Sequence, residues 1–280
     1  MLIKEALKDV TGKLAKVSES ASLDASLILS KVTGYSKLEL FMKDEEVLMA
    51  DKITEIEALT QRRVSHEPMA YILGEKEFWG LNFIVKPGVL IPRPDTETLV
   101  ATLLALVPNT DFEGRIADLG TGTGAILLSA LSELPNFKGV GVDKNDTALE
   151  IAQKNAKNLK LDDRSEFVNS FWLDAVDETF HVIVSNPPYI ETSTIQTLMD
   201  DVKGFEPMSA LDGGEDGLDA YRSLLESAYD KLEKGGLLLL EIGYNQKETV
   251  AQLLQNRFKE VKCFKDLAGH DRVIAAIKAK

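Results

Sequence analysis

Residues Ile116-Ala117-Asp118-Leu119-Gly120-Thr121-Gly122-Thr123-Gly124 run from an apolar strand into a glycine turn and then into a helix beginning near Ala125. Few folds tolerate that passage. Glycines admit close approach of a ligand to the backbone, and the helix start presents unpaired N–H groups beside it. A dinucleotide fingerprint needs a third glycine three after the second, where Ala125 or Leu127 stands, so a hydride-transfer site fits poorly. No Gly-Lys-Ser/Thr follows, which excludes a P-loop. The next strand, Gly139–Val142, delivers Asp143 at its end, where a carboxylate can accept both ribose hydroxyls of a nucleoside. Asp118, Gly120, Gly122, Gly124 and Asp143 together describe a nucleoside site without a pyrophosphate, with Thr121 and Thr123 inside the turn.

Around that motif the chain alternates. Strands are expected at Arg115–Leu119, Gly139–Val142, Ser165–Val168, His181–Val184, Gly236–Ile242, Val261–Phe264 and Arg272–Ile277. Helical stripes lie between most of them, at Thr96–Val107, Ala125–Leu134, Thr147–Leu159 and Leu218–Leu232. That alternation predicts an α/β domain, a parallel sheet covered by helices on both faces. The first 74 residues read instead as a bundle of four or five short helices. Leu2, Ala6, Val10 and Leu14 form one stripe, Ala25, Ile28, Leu29 and Val32 another, and Ser36 with Glu39 has capping-box spacing. Pro68 opens a last short helix that Gly74 ends. Residues 75–94, with Gly80 between two apolar runs and Pro87, Pro92 and Pro94 beyond, read as a β-hairpin connector to the domain at 95–280.

Charge narrows the partners. Acidic residues number 45 against 32 basic ones, a net charge of −13, and both the first 75 residues and the remainder are net acidic. Neither offers the basic field that dominates affinity for phosphate backbones, so direct nucleic-acid binding is not expected. Cys263 is the sole cysteine, which excludes an internal disulfide and a cysteine zinc site and reads as an inert thiol in a strand. The charged N-terminus lacks a signal-peptide stretch, and the clearest apolar run, Leu237–Leu240, stops at Glu241. A cytoplasmic protein with no membrane contact and no metal is expected.

The sharpest feature is Val182-Ile183-Val184-Ser185-Asn186-Pro187-Pro188-Tyr189. An apolar strand delivers it to its carboxyl end, where open α/β sheets bind ligands. Pro187 restricts Asn186 to extended backbone, and Pro188 cannot donate, so the local main chain presents carbonyls. The Asn186 side-chain oxygen and the Pro187 carbonyl can then accept both hydrogens of a planar –NH2 group, while Tyr189 offers a flat face and can steady positive charge. Amide nitrogens are poor nucleophiles because the lone pair is delocalised. Two acceptors that strengthen as the N–H groups become acidic favour the transition state over the ground state, and in-line positioning supplies the rest. No strong general base is required, so His66, His181 and His270 read as structural.

These residues, with Glu67–Gly74, Glu77–Leu81, Val89–Glu97, Glu206-Pro207, Ala210–Leu218, Glu241–Gly243 and Asp266–Val273, resemble the release factor glutamine methyltransferase family over essentially the whole chain. The resemblance implies a class I methyltransferase fold, Rossmann-like with a mostly parallel seven-stranded sheet, joined through a β-hairpin to an N-terminal helical bundle that docks the release factor. It implies S-adenosylmethionine as cofactor and, as substrate, the glutamine of the Gly-Gly-Gln loop in class 1 peptide chain release factors, methylated on N5 by a monomeric enzyme. Gly120 to Gly124 would line the methionine part of the cofactor and Asp143 its ribose. Asn186 would touch both cofactor and target glutamine, with Pro187, Pro188 and Tyr189 completing the substrate pocket. Phe171 would cover the adenine face, and Ser170 stands where many relatives carry an acidic residue.

Two other readings remain open at this point. An amino-methyltransferase acting on adenine or cytosine in nucleic acid uses a similar Asn-Pro-Pro-aromatic device, but predicts a basic target-recognition region. A non-catalytic nucleoside-binding module predicts loss of a key residue, yet Asp118, Asp143, Asn186 and Tyr189 are all present. Asp212–Gly217 fails the EF-hand count, which needs an oxygen ligand at Gly214 and Glu at Ser223. Glu191–Gly217 is expected as a long loop at the site opening that orders on substrate binding.

Overall fold

The structure, a computed structural model, describes residues 1–107 and 112–279. It divides into two compact units, one of residues 1–75 with 199–205 and one of residues 76–198 with 206–280. Among the described residues no helix is long and apolar enough to cross a membrane.

The first unit holds helices α1 (Ile3–Leu14), α2 (Ala21–Thr33), α3 (Lys37–Met42), α4 (Ala50–Val64) and α5 (Met69–Leu73). Ile3, Ala6, Val10 and Leu14 of α1 pack on Ile28, Leu29, Leu40 and Ile56. The expected stripe is corrected at one position. Leu2 is the extended N-cap residue rather than a buried one, and Ile3 takes its place, because only inside the first turn does a side chain face the bundle. The capping box at α3 forms as its spacing requires: Ser36 Oγ accepts from the Glu39 amide (3.2 Å) and the Glu39 carboxylate accepts from the Ser36 amide (2.9 Å). Asp24 and Arg63 form a buried ion pair at 2.9 Å.

The hairpin residues from Lys76 onward group with the second unit rather than standing as a separate connector. Strands β1 (Glu75–Phe78) and β2 (Leu81–Ile84) are joined by Trp79 and Gly80, both at positive φ, the backbone a two-residue type I′ turn demands. Then follow α6 (Glu97–Leu106), β3 (Gly114–Leu119), α7 (Ala125–Glu133), β4 (Phe137–Asp143), α8 (Asp146–Asn158), β5 (Ser165–Asn169) and β6 (Phe180–Ser185). A short α9 (Asp200–Lys203) lies in the stretch that belongs with the helical unit. The chain ends through α10 (Asp219–Lys231), β7 (Leu232–Glu241), α11 (Lys247–Leu254), β8 (Phe258–Lys265) and β9 (Asp271–Lys278).

All seven expected strands form one sheet in the order β5-β4-β3-β6-β7-β9-β8. It is parallel except for β9, which runs antiparallel to both neighbours. Side chains alternate between two cores, as a strand buried on both faces must. Ile116, Val182, Val184 and Leu239 pack with α6 and α7, whereas Ala117, Ile183, Leu238 and Leu240 pack with α10 and α11. Truncating a side chain such as Leu239, fully buried here, would cost about 2–5 kcal/mol. The segment expected as an open loop at 191–217 contains α9 and two short 3-10 turns, Thr192–Thr197 and Met208–Ala210.

Candidate active site

The sheet register places the functional residues in one row. Leu119 of β3 pairs with Val142 of β4 and Ser185 of β6, and Asp143 pairs with Asn169 of β5. Gly120, Asp143, Ser170 and Asn186 therefore emerge side by side at the carboxyl edge. β3 sits where the chain, having built β4 and β5 on one side, crosses to build β6 on the other. That reversal opens the crevice in which doubly wound sheets hold ligands.

The turn after β3 is set by its glycines. Gly120, Gly122 and Gly124 all have positive φ, and the amides of Gly120 and Thr121 both donate to the Val142 carbonyl at 2.9 Å. Gly141 lets the turn come this close: a Cβ there would stand 2.8 Å from Thr121 Oγ1 and 2.7 Å from the Phe167 ring. Thr121 Oγ1 donates to Asp118 Oδ2 (2.7 Å). Asp118 is fully buried, and that burial pushes its carboxyl up to about 7. Asp143 takes the Gly122 amide on one oxygen (3.0 Å) and the Asn145 amide on the other (2.9 Å), and burial raises it too.

A cavity of about 620 Å³ lies over this row, within the roughly 300–1,000 Å³ range of small-molecule sites. Of the residues singled out from the sequence, Gly120, Gly122, Asp143, Phe171, Asn186 and Pro188 line it. Asp118, Thr121, Thr123, Gly124, Pro187 and Tyr189 are not among its lining residues. Asp118, Thr121 and Gly124 hold the turn instead: the Gly124 amide donates to the Thr121 carbonyl at 2.8 Å. The Thr123 carbonyl accepts from Asn155 Nδ2 at 2.9 Å. Ser170, at the position read as a lost adenine acceptor, lines the cavity with its hydroxyl oxygen accepting the Ala175 amide (3.0 Å). Phe171 is half exposed, its ring 5.7 Å from that of Trp172.

The Asn-Pro-Pro-Tyr segment is pinned from two sides. Ile190 exchanges backbone hydrogen bonds with Leu211 and Gly213, and Gln246 Nε2 donates to the Tyr189 carbonyl (3.0 Å). A Cβ on Gly213 would stand 2.8 Å from Tyr189 Cα, which explains a glycine there. The Tyr189 hydroxyl donates to Glu241 Oε1 (3.3 Å), and burial with the adjacent Glu241 holds that phenol well above the usual tyrosine range. Asn186 Nδ2 donates to Thr96 Oγ1 (3.1 Å). Thr96, Glu241 and Gln246 were not singled out from the sequence. The signals for Glu241 were a charge ending the apolar run Leu237–Leu240 and its place in the wider resemblance; Thr96 had only the latter, and Gln246 had none. The histidines have no place in the cavity wall, and His181 Nδ1 accepts the Arg115 amide (3.1 Å).

Chemically, Asp143 retains lone pairs for vicinal hydroxyls, Gly120 and Gly122 present bare backbone, Phe171 offers a flat apolar face, and Asn186 adds a carboxamide. That set suits a nucleoside at one end and a planar amide or amine at the other.

The comparisons agree with this geometry. Residues 5–74 match the PrmC N-terminal domain and residues 82–202 the methyltransferase small domain. The chain is 43% identical to a release factor glutamine methyltransferase of Agrobacterium fabrum over 90% of this chain and 89% of that one. It is 40% identical to one of Clostridium botulinum, covering 99% of this chain and all of that one. A solved methyltransferase from Pyrococcus furiosus shares the fold, with a TM-score of 0.52 at 21% identity over 73% of this chain and 92% of that one. With identity at this level carried from end to end, the chain belongs to the release factor glutamine methyltransferase family.

Proposed function

We propose that this enzyme transfers a methyl group from S-adenosylmethionine to the side-chain amide nitrogen of the glutamine in the Gly-Gly-Gln loop of class 1 release factors. The observation that carries the reading is one cavity lined by Gly120, Asp143 and Asn186, a set of groups that suits a nucleoside beside a planar amide. Gly120 and Gly122 would face the methionine part, Asp143 the ribose hydroxyls, and Phe171 the adenine. Thr121, Thr123, Gly124 and Asp118 would act by holding that turn. When bound, the cofactor would supply an electrophilic sulfonium methyl group and leave as the neutral thioether, with the amide proton passing to water.

Asn186 Oδ1 and the Pro187 carbonyl would accept the two amide hydrogens, holding the nitrogen in place. These bonds tighten as the nitrogen gains positive character, so they lower the barrier rather than only aid binding. Pro188 would complete the wall around the target side chain, while Tyr189, outside the cavity lining, would hold the segment from behind through its bond to Glu241.

The helical unit would receive the body of the release factor. Leu38, Phe41 and Met42 share one face of α3 and are 68%, 78% and 73% exposed, an apolar face open to a partner. The test is a labelled-methyl assay offering purified release factor, DNA and RNA together. Label on the protein alone is expected, and label on nucleic acid alone would overturn the reading.

A further inference from the structure

Three backbone segments converge on one buried side chain behind the Asn-Pro-Pro-Tyr segment. Gln246, the N-cap residue of α11, is buried and is not among the residues lining the cavity. Its Nε2 donates to the Tyr189 carbonyl (3.0 Å) and to the Gly217 carbonyl (3.2 Å), and its Oε1 accepts the Gly243 amide (3.0 Å). The Tyr221 hydroxyl, which donates to the Glu241 carbonyl (2.9 Å), also lies 3.4 Å from Oε1. The fit is close: a Cβ on Gly217 would stand 2.5 Å from the Tyr189 oxygen and 2.7 Å from Nε2.

The two ends of a carboxamide have nearly the same shape, so its partners decide which end faces where. Here those partners are main-chain groups. A main-chain N–H only donates and a main-chain carbonyl only accepts, so Gly243 must face Oε1, and Tyr189 and Gly217 must face Nε2. Both amide hydrogens are thereby used, one on each of two segments. A carboxylate of the same shape would set an oxygen against two carbonyls.

The segment held this way is a stiff strut. Rings lock φ at Pro187 and Pro188, and Asn186 and Pro187 each precede a proline, which confines both to extended backbone. Few soft torsions remain between Asn186 and Tyr189. The sheet sets one end, where Ser185 pairs with Leu119 and Leu240. Gln246 sets the other end at Tyr189, and Leu211 and Gly213 hold Ile190 beyond it. In so stiff a chain, the direction of the Pro187 carbonyl and of the Asn186 side chain depends on where the far end is held.

We infer that Gln246 is a positioning residue for methyl transfer, tying the far end of the Asn-Pro-Pro-Tyr strut to Gly217 and to the head of α11 and so aiming its two acceptors at the substrate amide. The inference rests on the methyl-transfer reading above and adds to it the side chain that holds the clamp in line. Misplacing reacting groups by about 1 Å can cost ~100-fold in rate, so a strut released at one end should slow the reaction without emptying the site.

Full-length wild type, Gln246→Met and Gln246→Glu would be compared for kcat and KM on purified release factor, at a temperature where circular dichroism shows each fully folded. Cofactor affinity would be measured separately by calorimetry. Gln246→Met keeps the length and loses both donors; it should lower kcat about tenfold or more, with KM and cofactor affinity within roughly threefold of wild type. Gln246→Glu should be as slow at about pH 9 and should recover about tenfold relative to wild type by about pH 6, because burial favours the protonated acid, which regains one donor. Loss of packing alone would not produce that recovery, and Gln246→Met should not show it. Turnover of folded Gln246→Met within about twofold of wild type, or a Gln246→Glu to wild-type ratio that is flat with pH, overturns the positioning role while leaving the methyl-transfer reading in place. Absence of methylation by wild type removes that reading and the positioning role with it. Should Gln246→Met not fold, the pH dependence of Gln246→Glu decides the matter alone.

Discussion

Asp143 accepts the Gly122 amide at 3.0 Å, so the carboxylate at the end of β4 and the glycine turn after β3 are one mechanical object. Loss of that carboxylate removes a ligand acceptor and loosens the turn together. Asp143→Asn keeps the shape but turns one acceptor into a donor facing the Gly122 or Asn145 amide. Cofactor affinity is expected to fall about 10- to 100-fold, the equivalent of ~1.5–3 kcal/mol for a hydrogen bond to a charged group. Calorimetric titration of S-adenosylmethionine checks it.

Asn186→Ala removes the side-chain acceptor but leaves the turn and Asp143 intact. Turnover on release factor should drop by several orders of magnitude, ~3–5 kcal/mol by analogy with a lost oxyanion donor. Cofactor binding should stay within a few-fold of wild type. Single-turnover rates under saturating cofactor separate the two, and a near-normal rate would take Asn186 out of the chemistry.

Asp118 makes a pH-dependent contribution whose sign can be worked out. Its carboxyl titrates at about 7 in the fold against an ordinary 3.8, so the folded state holds the proton more tightly than the unfolded one. The resulting stabilisation is full below the ordinary value and is lost as pH rises through about 7. Asp118→Asn cannot titrate and keeps an oxygen for the Thr121 hydroxyl. The Tm of the variant minus that of wild type should therefore grow from about pH 5 to about pH 8. A flat difference across that range would contradict the burial argument.

Phe41 is 78% exposed on α3. Phe41→Glu is expected to raise the KM for release factor about tenfold, as truncation of an interface anchor does, with Tm and cofactor affinity nearly unchanged. Steady-state kinetics with intact release factor reads this directly.

Much of this architecture was legible because it is local. Strands such as Val182–Val184 are continuous β-branched runs, and the turn at Trp79-Gly80 and the cap at Ser36–Glu39 are written in adjacent residues. What escaped has non-local or weak causes. Helix α11 buries only Val250 and Leu254, too little for a periodic signal. The short turns within 191–217 are a single turn or so long, below the length at which hydrophobic period appears. Leu2 and Ile3 differ only in which side of a helix boundary they occupy.

In the site, the row of Gly120, Asp143 and Asn186 followed from each lying at the end of a parallel strand, a rule that sequence order alone supplies. The division of labour within it did not. Asp118 looks like a ligand in sequence, yet it is sealed in the core with Thr121. Thr96 meets Asn186 across 90 positions from the short 3-10 turn Pro94–Thr96, and Tyr189 meets Glu241 across 52 because β6 pairs with β7 in a register no periodicity encodes.

The most direct test is residue-level mass mapping of a class 1 release factor after incubation with the wild-type enzyme and labelled S-adenosylmethionine. One methyl group on the glutamine side chain of the Gly-Gly-Gln loop is the expected result. A methyl group found on any other residue, with that glutamine unmodified, would contradict the carboxamide clamp at Asn186.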